Sequence, residues 1–454
     1  MEPMKIEGST GSISKNAPIW ERLTAWIELY QITEKDNNKA PKLEYLELFK
    51  LFLSFGIRAF GGPMAQIEMM RTELVVDGKW ITNERFRRVF SVYQVLPGPE
   101  ATELACYFGY LSRGRIGSLI GGFGFILPGF LLMLLWSYIY VTFGIKSTIV
   151  QSSFHCVQIV VAAFIFRATY KLSESALMEE VAVQGKAPVK EFNWHKGFLC
   201  LFCFLTSIIG LNFFISLAVA GIMNNFFLSN YTYKYYLAYL TAAFTIGMYI
   251  LYVHEEGIPA SSMIGGDLGS GRSTSYESLL ELGLIAGMVT FGGAYTTLPF
   301  IYTVAVQQGG WLSQTEFLDS IAITNVLPTP LVSFVTMVGF IGHGIGGALL
   351  MAFGIFLPAM SFTIIGHEYF EAAVDNKLVQ PFLDGVAAAV IGLLVQTSFQ
   401  FAQHVIITGI DAFVFGMAFY CLFYFTNKFT QPIMVIVSAL AGQILYPPGA
   451  TVQF

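Results

Sequence analysis

The chain has 454 residues, of which 55% are hydrophobic and only 12% are charged, and its mean hydropathy is +0.61. Soluble globular proteins carry roughly 25% charged residues, so this composition excludes an ordinary soluble protein and predicts an all-α, polytopic integral membrane protein. The net charge of −5 lies mostly outside the apolar segments, and we expect no nucleic-acid partner.

The chain begins with a polar segment, residues 1–42, which we expect to be an N-terminal tail. Within it, PIWERLTAWIELYQ (18–31) could form a short helix with Trp20, Leu23 and Ile27 on one face, lying on the membrane surface. A disordered tail is the alternative.

A first unit is predicted over residues 43–252, with a polar loop at 171–196 and an apolar stretch at 197–252. Several of its helices are too short to cross a bilayer alone. Because 79–88 and 113–115 are both basic, residues 89–112 either dip into the membrane and return to the same side or form half of a discontinuous helix. The helices are predicted near 43–59, 63–77, 83–96, 99–112, 117–142 and 148–170.

A Gly- and Ser-rich linker, 253–275, leads to a second unit, 276–454, that repeats the first. Residues 60–99 match 291–330 without a gap at an offset of 231, so that Trp80 corresponds to Trp311. After a one-residue deletion, Leu127-Pro128 corresponds to Leu357-Pro358. The helices of the second unit are predicted near 276–290, 294–307, 315–327, 330–342, 346–366, 379–401, 407–426 and 431–446.

The charges of the two units predict that the units face opposite sides of the membrane. Lys and Arg gather in short cytoplasmic loops. The segment 276–346 has none, whereas the matching 43–116 has nine: Lys50, Arg58, Arg71, Lys79, Arg85, Arg87, Arg88, Arg113 and Arg115. We therefore predict an inverted-topology repeat, as in many secondary transporters. The alternative is a parallel repeat whose second copy lost its charges.

Each unit breaks its apolar helices twice. The first has Phe60-Gly61-Gly62-Pro63 and Pro97-Gly98-Pro99, and the second has the counterparts FGGA (291–294) and PTP (328–330). Irregular backbone survives at membrane depth only where it is buried in protein or faces a polar cavity. A helix that restarts there exposes unpaired N–H groups, which suit an anion. The alternative is that the glycines only permit close packing and the prolines only kink helices.

Polar residues near these breaks complete the predicted anion site. Arg58 could hold a dianion or pair with Glu100 or Glu103, or it could snorkel to the interface. Glu100 and Glu103 share a helical face, and they could carry a coupled proton or cap the helix after Pro99. The candidate substrate-binding residues are Arg58, Gly61, Gly62, Pro63, Gln66, Pro97, Gly98, Pro99, Glu100, Thr102, Glu103, Gly292, Gly293, Thr296, Asn325, Pro328, Thr329 and Pro330.

These motifs resemble the chromate ion transporter family in its long, two-domain form. The resemblance is carried by FGGP at 60–63, by Trp80 and Phe86, by LPGPEATELACYFGYLSRGRIG at 96–117 and by GGFGFILPGFLLML at 121–134. It implies membrane transport of chromate, with sulfate as a similar tetrahedral dianion. Gln66 stands where many members have His, Ala294 replaces the Pro of FGGP, and Thr329 replaces the Gly of PGP.

Other functions are compatible with the sequence. The chain could be an exchanger or channel for another anion, such as sulfate, molybdate or an organic acid. An intramembrane enzyme is disfavoured because no nucleophile lies near a base, and no cofactor or metal site is expected among the scattered cysteines and histidines. We expect a multi-pass protein of the plasma membrane, and a homodimer is compatible with the sequence.

Overall fold

A computed structural model describes residues 39–143, 148–181, 189–229, 232–256, 274–290, 294–374, 379–425, 427 and 429–446. The described residues are almost wholly helical, which confirms the predicted fold class. The first unit contains α1 (Tyr45–Ile57), α2 (Pro63–Met70, continued by a π-helical segment, Arg71–Asp77), α3 (Asn83–Val95), α4 (Glu100–Phe143), α5 (Thr148–Leu177), α6 (Trp194–Ile208), α7 (Phe213–Leu228) and α8 (Lys234–Glu256).

The second unit contains a matching series of helices. They are α9 (Tyr276–Met288), α10 (Thr297–Ile301, between a 3-10 turn at Ala294–Thr296 and a π-helical segment at Tyr302–Gln308), α11 (Gln314–Val326), α12 (Phe334–Val374, after a 3-10 turn at Leu331–Ser333), α13 (Val379–Val405), α14 (Gly409–Tyr424) and α15 (Thr430–Leu445).

One segment differs from the sequence prediction, and two others cannot be compared with it. Within the predicted loop 171–196, α5 continues to Leu177, and β1 (Met178–Val181) pairs antiparallel with β2 (Val189–Phe192). Strands of four residues are too short to give a clear alternating pattern. The predicted interfacial helix 18–31 and linker residues 257–273 lie outside the described residues.

The first four helices form two hairpins that start and finish at one end of the first unit. At this end the Lys39 N–H donates to the Trp80 carbonyl oxygen over 2.9 Å, and the Ser112 hydroxyl donates to the Pro41 carbonyl oxygen over 2.6 Å. The start of α1, the loop 78–82 and the middle of α4 therefore lie together. The structure thus confirms that residues 89–112 enter and return to the same side.

Helix α4 consists of two antiparallel arms, 100–112 and 115–143. It reverses at Arg113 and Gly114, where Gly114 has a φ of 61°. The arms approach so closely that a Cβ atom on Gly109 would lie 2.2 Å from the Gly117 carbonyl oxygen. Gly114 permits the left-handed backbone at the reversal, and Gly109 permits the close approach of the arms, because glycine has no Cβ atom.

The second unit repeats this geometry. Helix α12 reverses at His343 and Gly344, where Gly344 has a φ of 62°, which gives arms 334–342 and 345–374. A Cβ atom on Gly339 would lie 2.4 Å from the Gly347 carbonyl oxygen. The internal repeat seen in the sequence is therefore also a repeat in three dimensions.

The long second arm of α4, 115–143, shows that the two units are inverted. It starts beside the loops of the first unit, where a Cβ on Gly121 would lie 2.5 Å from the Ala105 carbonyl oxygen. Near its other end the Tyr140 hydroxyl donates to Asp319 Oδ2 over 2.7 Å, close to the loop 309–313 that precedes α11. This loop is the counterpart of 78–82. Equivalent loops thus lie at opposite ends of one helical arm, and the parallel alternative is wrong.

The units also exchange helices. Helix α5 packs against α14 and α15 of the second unit, and its counterpart α13 packs against α6 and α7 of the first. At these contacts a Cβ on Gly442 would lie 2.4 Å from the Ser152 carbonyl oxygen, and a Cβ on Gly392 would lie 2.1 Å from the Cys200 carbonyl oxygen. Helices α6, α7 and α8 occupy the stretch whose number of crossings the sequence left open.

Four described helices are long and apolar enough to cross a membrane: Glu100–Phe143, Gln151–Leu177, Leu331–Ile365 and Gln380–Val405. Large apolar side chains are exposed on the long arms, including Leu135 at 53% and Phe353 at 57%. Such surface is compatible with lipid rather than water.

Candidate anion site

Each unit interrupts its helices twice, and we number the interruptions in chain order. Break 1 is 59–62, break 2 is 96–99, break 3 is 289–296 and break 4 is 327–330. The predicted site residues Gly292 and Gly293 of break 3 lie outside the described residues.

Break 1 requires glycine because of its backbone conformation. Gly61 and Gly62 have φ angles of 91° and 80°, a region in which other residues are strained. Space is not the constraint at Gly62, since among the described residues a Cβ there would approach just the Gln431 side-chain oxygen, at 3.7 Å. Pro63 then starts α2 at a position where its missing N–H costs nothing.

Break 2 requires glycine for space as well. Pro97, Gly98 and Pro99 are all buried. A Cβ on Gly98 would lie 2.6 Å from Glu103 Oε1 and 2.8 Å from the Ala359 methyl group. Gly98 therefore lets α4 start tightly against α12.

The breaks of the two units meet each other. The Gly98 N–H of break 2 donates to the Thr290 carbonyl oxygen of break 3 over 2.8 Å. The Gln66 amide donates to the Ala59 carbonyl oxygen of break 1 over 2.9 Å and to the Thr329 carbonyl oxygen of break 4 over 3.1 Å. Gln66 thus joins break 1 to break 4, and the second of these contacts links residues that are 263 positions apart in sequence.

The meeting point lies halfway along the long arms of α4 and α12. Thr329 of break 4 packs on Gly129, the middle residue of 115–143, and Gly98 of break 2 packs on Ala359, at the middle of 345–374. An arm of this length spans about 43 Å at 1.5 Å per residue, close to the thickness of a bilayer with its headgroups. The breaks therefore lie near the middle of two arms that are long enough to span a bilayer.

Helices that restart at the breaks leave backbone N–H groups unused. Within the described ranges, the first backbone bonds at the start of α2 and α4 come from Gln66 and Thr102. The amides of Met64 and Ala65, and those of Glu100 and Ala101, have no acceptor there. The Gly98 amide, by contrast, is occupied by Thr290.

The polar residues that follow break 2 are buried. Glu100 is 5% exposed, and Thr102 and Glu103 are fully buried. Neither carboxylate oxygen of Glu103 has a hydrogen-bond partner among the described residues, and neither does the Thr102 hydroxyl. The expectation that Glu103 caps α4 is therefore wrong: its carboxylate points back to Gly98 instead of accepting from a free amide.

Arg58 does not pair with Glu100 or Glu103, which corrects one of the alternatives drawn from sequence. Its guanidinium forms two hydrogen bonds with the Glu73 carboxylate, at 2.6 and 3.2 Å, and its side chain is 47% exposed. The reason is geometric. The π-helical continuation of α2 returns beside the end of α1 and places Glu73 next to Arg58.

The second-unit candidates have different surroundings. Thr296 is buried in break 3, and the Asn325 amide donates to the Ile321 carbonyl oxygen of its own helix over 2.9 Å. Thr329 is buried in break 4 between half-buried Pro328 and buried Pro330. The contact of break 4 with Gln66 is made by the backbone carbonyl of Thr329 and not by its side chain.

Sequence reasoning missed a cation that lies near the breaks. Arg167 of α5 is half-buried, and its Nε atom has no hydrogen-bond partner among the described residues. Helix α5 packs against the turn Ala294–Thr296 of break 3, and this packing brings the Arg167 charge near Tyr295. The signal was present, since an arginine in the apolar run FIFRATY stands out, but 167 is far from the breaks in sequence.

A second polar group missed from sequence is the carboxylate of Asp319 in α11. It is fully buried and accepts from the Tyr140 hydroxyl and, over 2.8 Å, from the Gln158 amide. These two donors belong to the first unit, so this contact ties the two units together near the end of the long arm of α4.

Replacing Gln66 with leucine would leave two buried carbonyl oxygens without a donor. Each loss costs about 1–3 kcal/mol. We expect Gln66→Leu to lower the free energy of unfolding by about 2–5 kcal/mol, measured by thermal melting in detergent. The matched control is Gln307→Leu, because Gln307 is exposed and makes only a 3.4 Å contact with Gln400. Equal melting temperatures of Gln66→Leu and Gln307→Leu would contradict the role of Gln66 in linking breaks 1 and 4.

Comparison with known proteins identifies the family. The family model for the chromate transporter matches residues 46–252 and 278–443. The chain belongs to the chromate transporter family. This finding confirms the resemblance seen in the motifs, and it makes the protein a multi-pass membrane transporter rather than an enzyme.

Individual relatives agree with this assignment. A chromate transport protein of Pseudomonas aeruginosa is 36% identical over 90% of this chain and 94% of its own length. Another, from Cupriavidus metallidurans, is 28% identical over 90% of this chain and 95% of its own length. The uncharacterized transporter YwrB of Bacillus subtilis is 30% identical over 37% of this chain and 77% of its own length, which fits a family unit of half this size. No solved structure matches the chain at a significant level.

Proposed function

We propose that this protein moves chromate across the membrane by secondary transport and holds the anion among the four breaks. The observation that carries this proposal is the meeting of breaks from two inverted units halfway along the long arms of α4 and α12. Inverted repeats with broken helices around a midplane site are the architecture of many secondary transporters. The relatives named chromate transport proteins support the choice of substrate.

The chemistry of the breaks suits a tetrahedral dianion. The unused amides at the starts of α2 and α4 present N–H groups and the positive ends of helix dipoles. Such donors recognise charge and oxygen atoms rather than the central element. We therefore propose that sulfate competes with chromate.

Glu103 is the group that we assign to coupling. An ionised carboxylate that is buried without a hydrogen bond or a cation is costly, so a neutral acid suits this site better. The titratable groups that face it are Glu100 on the same helix, Tyr93 of α3 and Cys106. A proton on Glu103 also removes a negative charge beside the anion, so proton and anion favour each other's binding.

We propose that the first unit's loops face the cytoplasm, because the basic segments 79–88 and 113–115 lie at one end of that unit. A protein that meets an external oxyanion fits the plasma membrane.

The test is uptake of chromate into proteoliposomes that contain the purified protein. We expect saturable flux above that of protein-free vesicles, and inhibition by excess sulfate. Flux that rises linearly with chromate concentration would instead support a channel. Saturable flux of sulfate, molybdate or an organic acid without chromate flux would support the other anion transporters and reject this proposal.

A further inference from the structure

The breaks carry partial positive charge, but a doubly charged anion at the middle of a membrane also calls for a full positive charge. Arg58 was the candidate from sequence. Its charge is already balanced by Glu73 on a partly exposed surface. Another cation is therefore needed at the breaks.

Arg167 has the position and the free hydrogen-bonding capacity for this role. It lies inside Gln151–Leu177, one of the four described helices that are long and apolar enough to cross a membrane. Its Nε atom is buried, and no ion pair or hydrogen bond to Arg167 is formed within the described ranges. Arg167 as a whole is half-buried, so its side chain is neither sealed in the core nor fully in water.

Two further side chains connect Arg167 to breaks on both units. Tyr295 follows the glycines of break 3, and its hydroxyl lies within reach of the Gln431 side chain and of the Arg167 charge. Gln431, at the start of α15, lies beside break 1, where its Oε1 is 3.7 Å from the position a Cβ on Gly62 would take. Packing of Phe60 on Phe429, with ring centroids 5.9 Å apart, holds these two segments together.

We propose that Arg167 is the cationic ligand of the transported oxyanion, with Tyr295 and Gln431 as hydrogen-bond donors beside it. This inference rests on the proposed function and names the charged part of that site. A planar guanidinium with several N–H donors matches two oxygens of a tetrahedral dianion, as it matches phosphate. Helix α5 packs against α14 and α15 of the second unit, so Arg167 lies where helices of both units meet.

The test compares Arg167→Gln with Arg58→Gln in chromate uptake by proteoliposomes. We expect the KM of Arg167→Gln to rise roughly 10- to 100-fold, the loss typical of a hydrogen bond to a charged group. Arg167→Lys keeps the positive charge but loses the planar set of N–H donors. Its KM should therefore lie between that of wild type and that of Arg167→Gln. The KM of Arg58→Gln should stay within about threefold of wild type, since a partly exposed ion pair contributes little.

A second readout does not depend on transport. Sulfate or chromate that binds only the folded protein raises its melting temperature in detergent. We expect this shift for wild type and Arg58→Gln and its loss in Arg167→Gln. If Arg167→Gln does not fold, the same measurement is made on Gln431→Glu. A carboxylate at the half-buried Gln431 should repel the anion, so sulfate and chromate should no longer raise the melting temperature of this variant.

The outcomes separate the two proposals. Wild-type protein without chromate flux rejects the proposed function itself. Normal wild-type flux, together with an unchanged KM and a retained melting shift in Arg167→Gln or Gln431→Glu, rejects only the role of Arg167. Equal loss in Arg58→Gln and Arg167→Gln would also contradict it, because the two arginines would then act alike.

Discussion

Gly129→Ala is expected to destabilise the protein and to reduce chromate transport at least roughly tenfold, which corresponds to about 1.4 kcal/mol. A methyl group at Gly129 would lie 2.3 Å from the Thr329 hydroxyl and 2.6 Å from its Cβ. Overpacking of this kind costs about 1–3 kcal/mol. Here it also pushes break 4 away from Gln66, at the centre of the proposed site.

The related contact in the other unit supplies a rescue. Ala359 stands where the first unit has Gly129, and it packs on Gly98 instead of a threonine. The double variant Gly129→Ala with Thr329→Gly therefore recreates a pair that the protein already contains. We expect it to recover most of the melting temperature and of the transport rate.

Gly416→Ala is the matched control for this series. Gly416 lies in α14, and no atom of the described part of the chain outside this helix lies within 4 Å of the position its Cβ would take, so alanine should be neutral or slightly stabilising. If the double variant melts no higher than Gly129→Ala, the contact between Gly129 and Thr329 does not set the position of break 4.

Glu103→Gln is expected to separate transport from the proton gradient. Glutamine has the shape of the neutral acid but cannot release a proton. We expect wild-type protein to accumulate chromate in proteoliposomes under an inward proton gradient. The variant should only equilibrate chromate, at a rate that a gradient does not change.

Two comparisons make this experiment decisive. Protonation of chromate itself is the same for wild type and variant, so only the difference between them reports on the protein. Glu68→Gln is the control, because Glu68 is exposed and paired with Arg71 at 2.8 Å. Gradient-driven accumulation by Glu103→Gln would show that the coupling group lies elsewhere.

The repeat and its inversion could be predicted from the sequence because both leave local marks. Glycines and prolines recur in register, and the basic loops of one unit match loops without Lys or Arg in the other. Most of the helices were also predictable, because they are runs bounded by Gly, Pro or polar residues, but α6, α7 and α8 were predicted only as one apolar stretch, 197–252. The prediction that residues 89–112 return to the same side rested on the basic segments at both of their ends.

Side-chain partners could not be predicted, because they depend on how separate hairpins pack. Glu73 approaches Arg58 only because α2 folds back beside α1, and Arg167 approaches break 3 only because α5 packs among the helices of the second unit. The same applies to Glu103, whose sequence position suggested a helix cap. Its fully buried carboxylate instead faces Gly98.

The central claim is that the anion binds where breaks of two inverted units meet, halfway through the membrane. The most direct test is a structure of the protein determined with chromate, in which anomalous scattering locates chromium. We predict a chromium peak at a position that places the chromate oxygens within hydrogen-bonding distance of the Met64 and Ala65 amides and of the Arg167 guanidinium. A well-occupied peak away from all four breaks, with the breaks themselves closed, would contradict the claim.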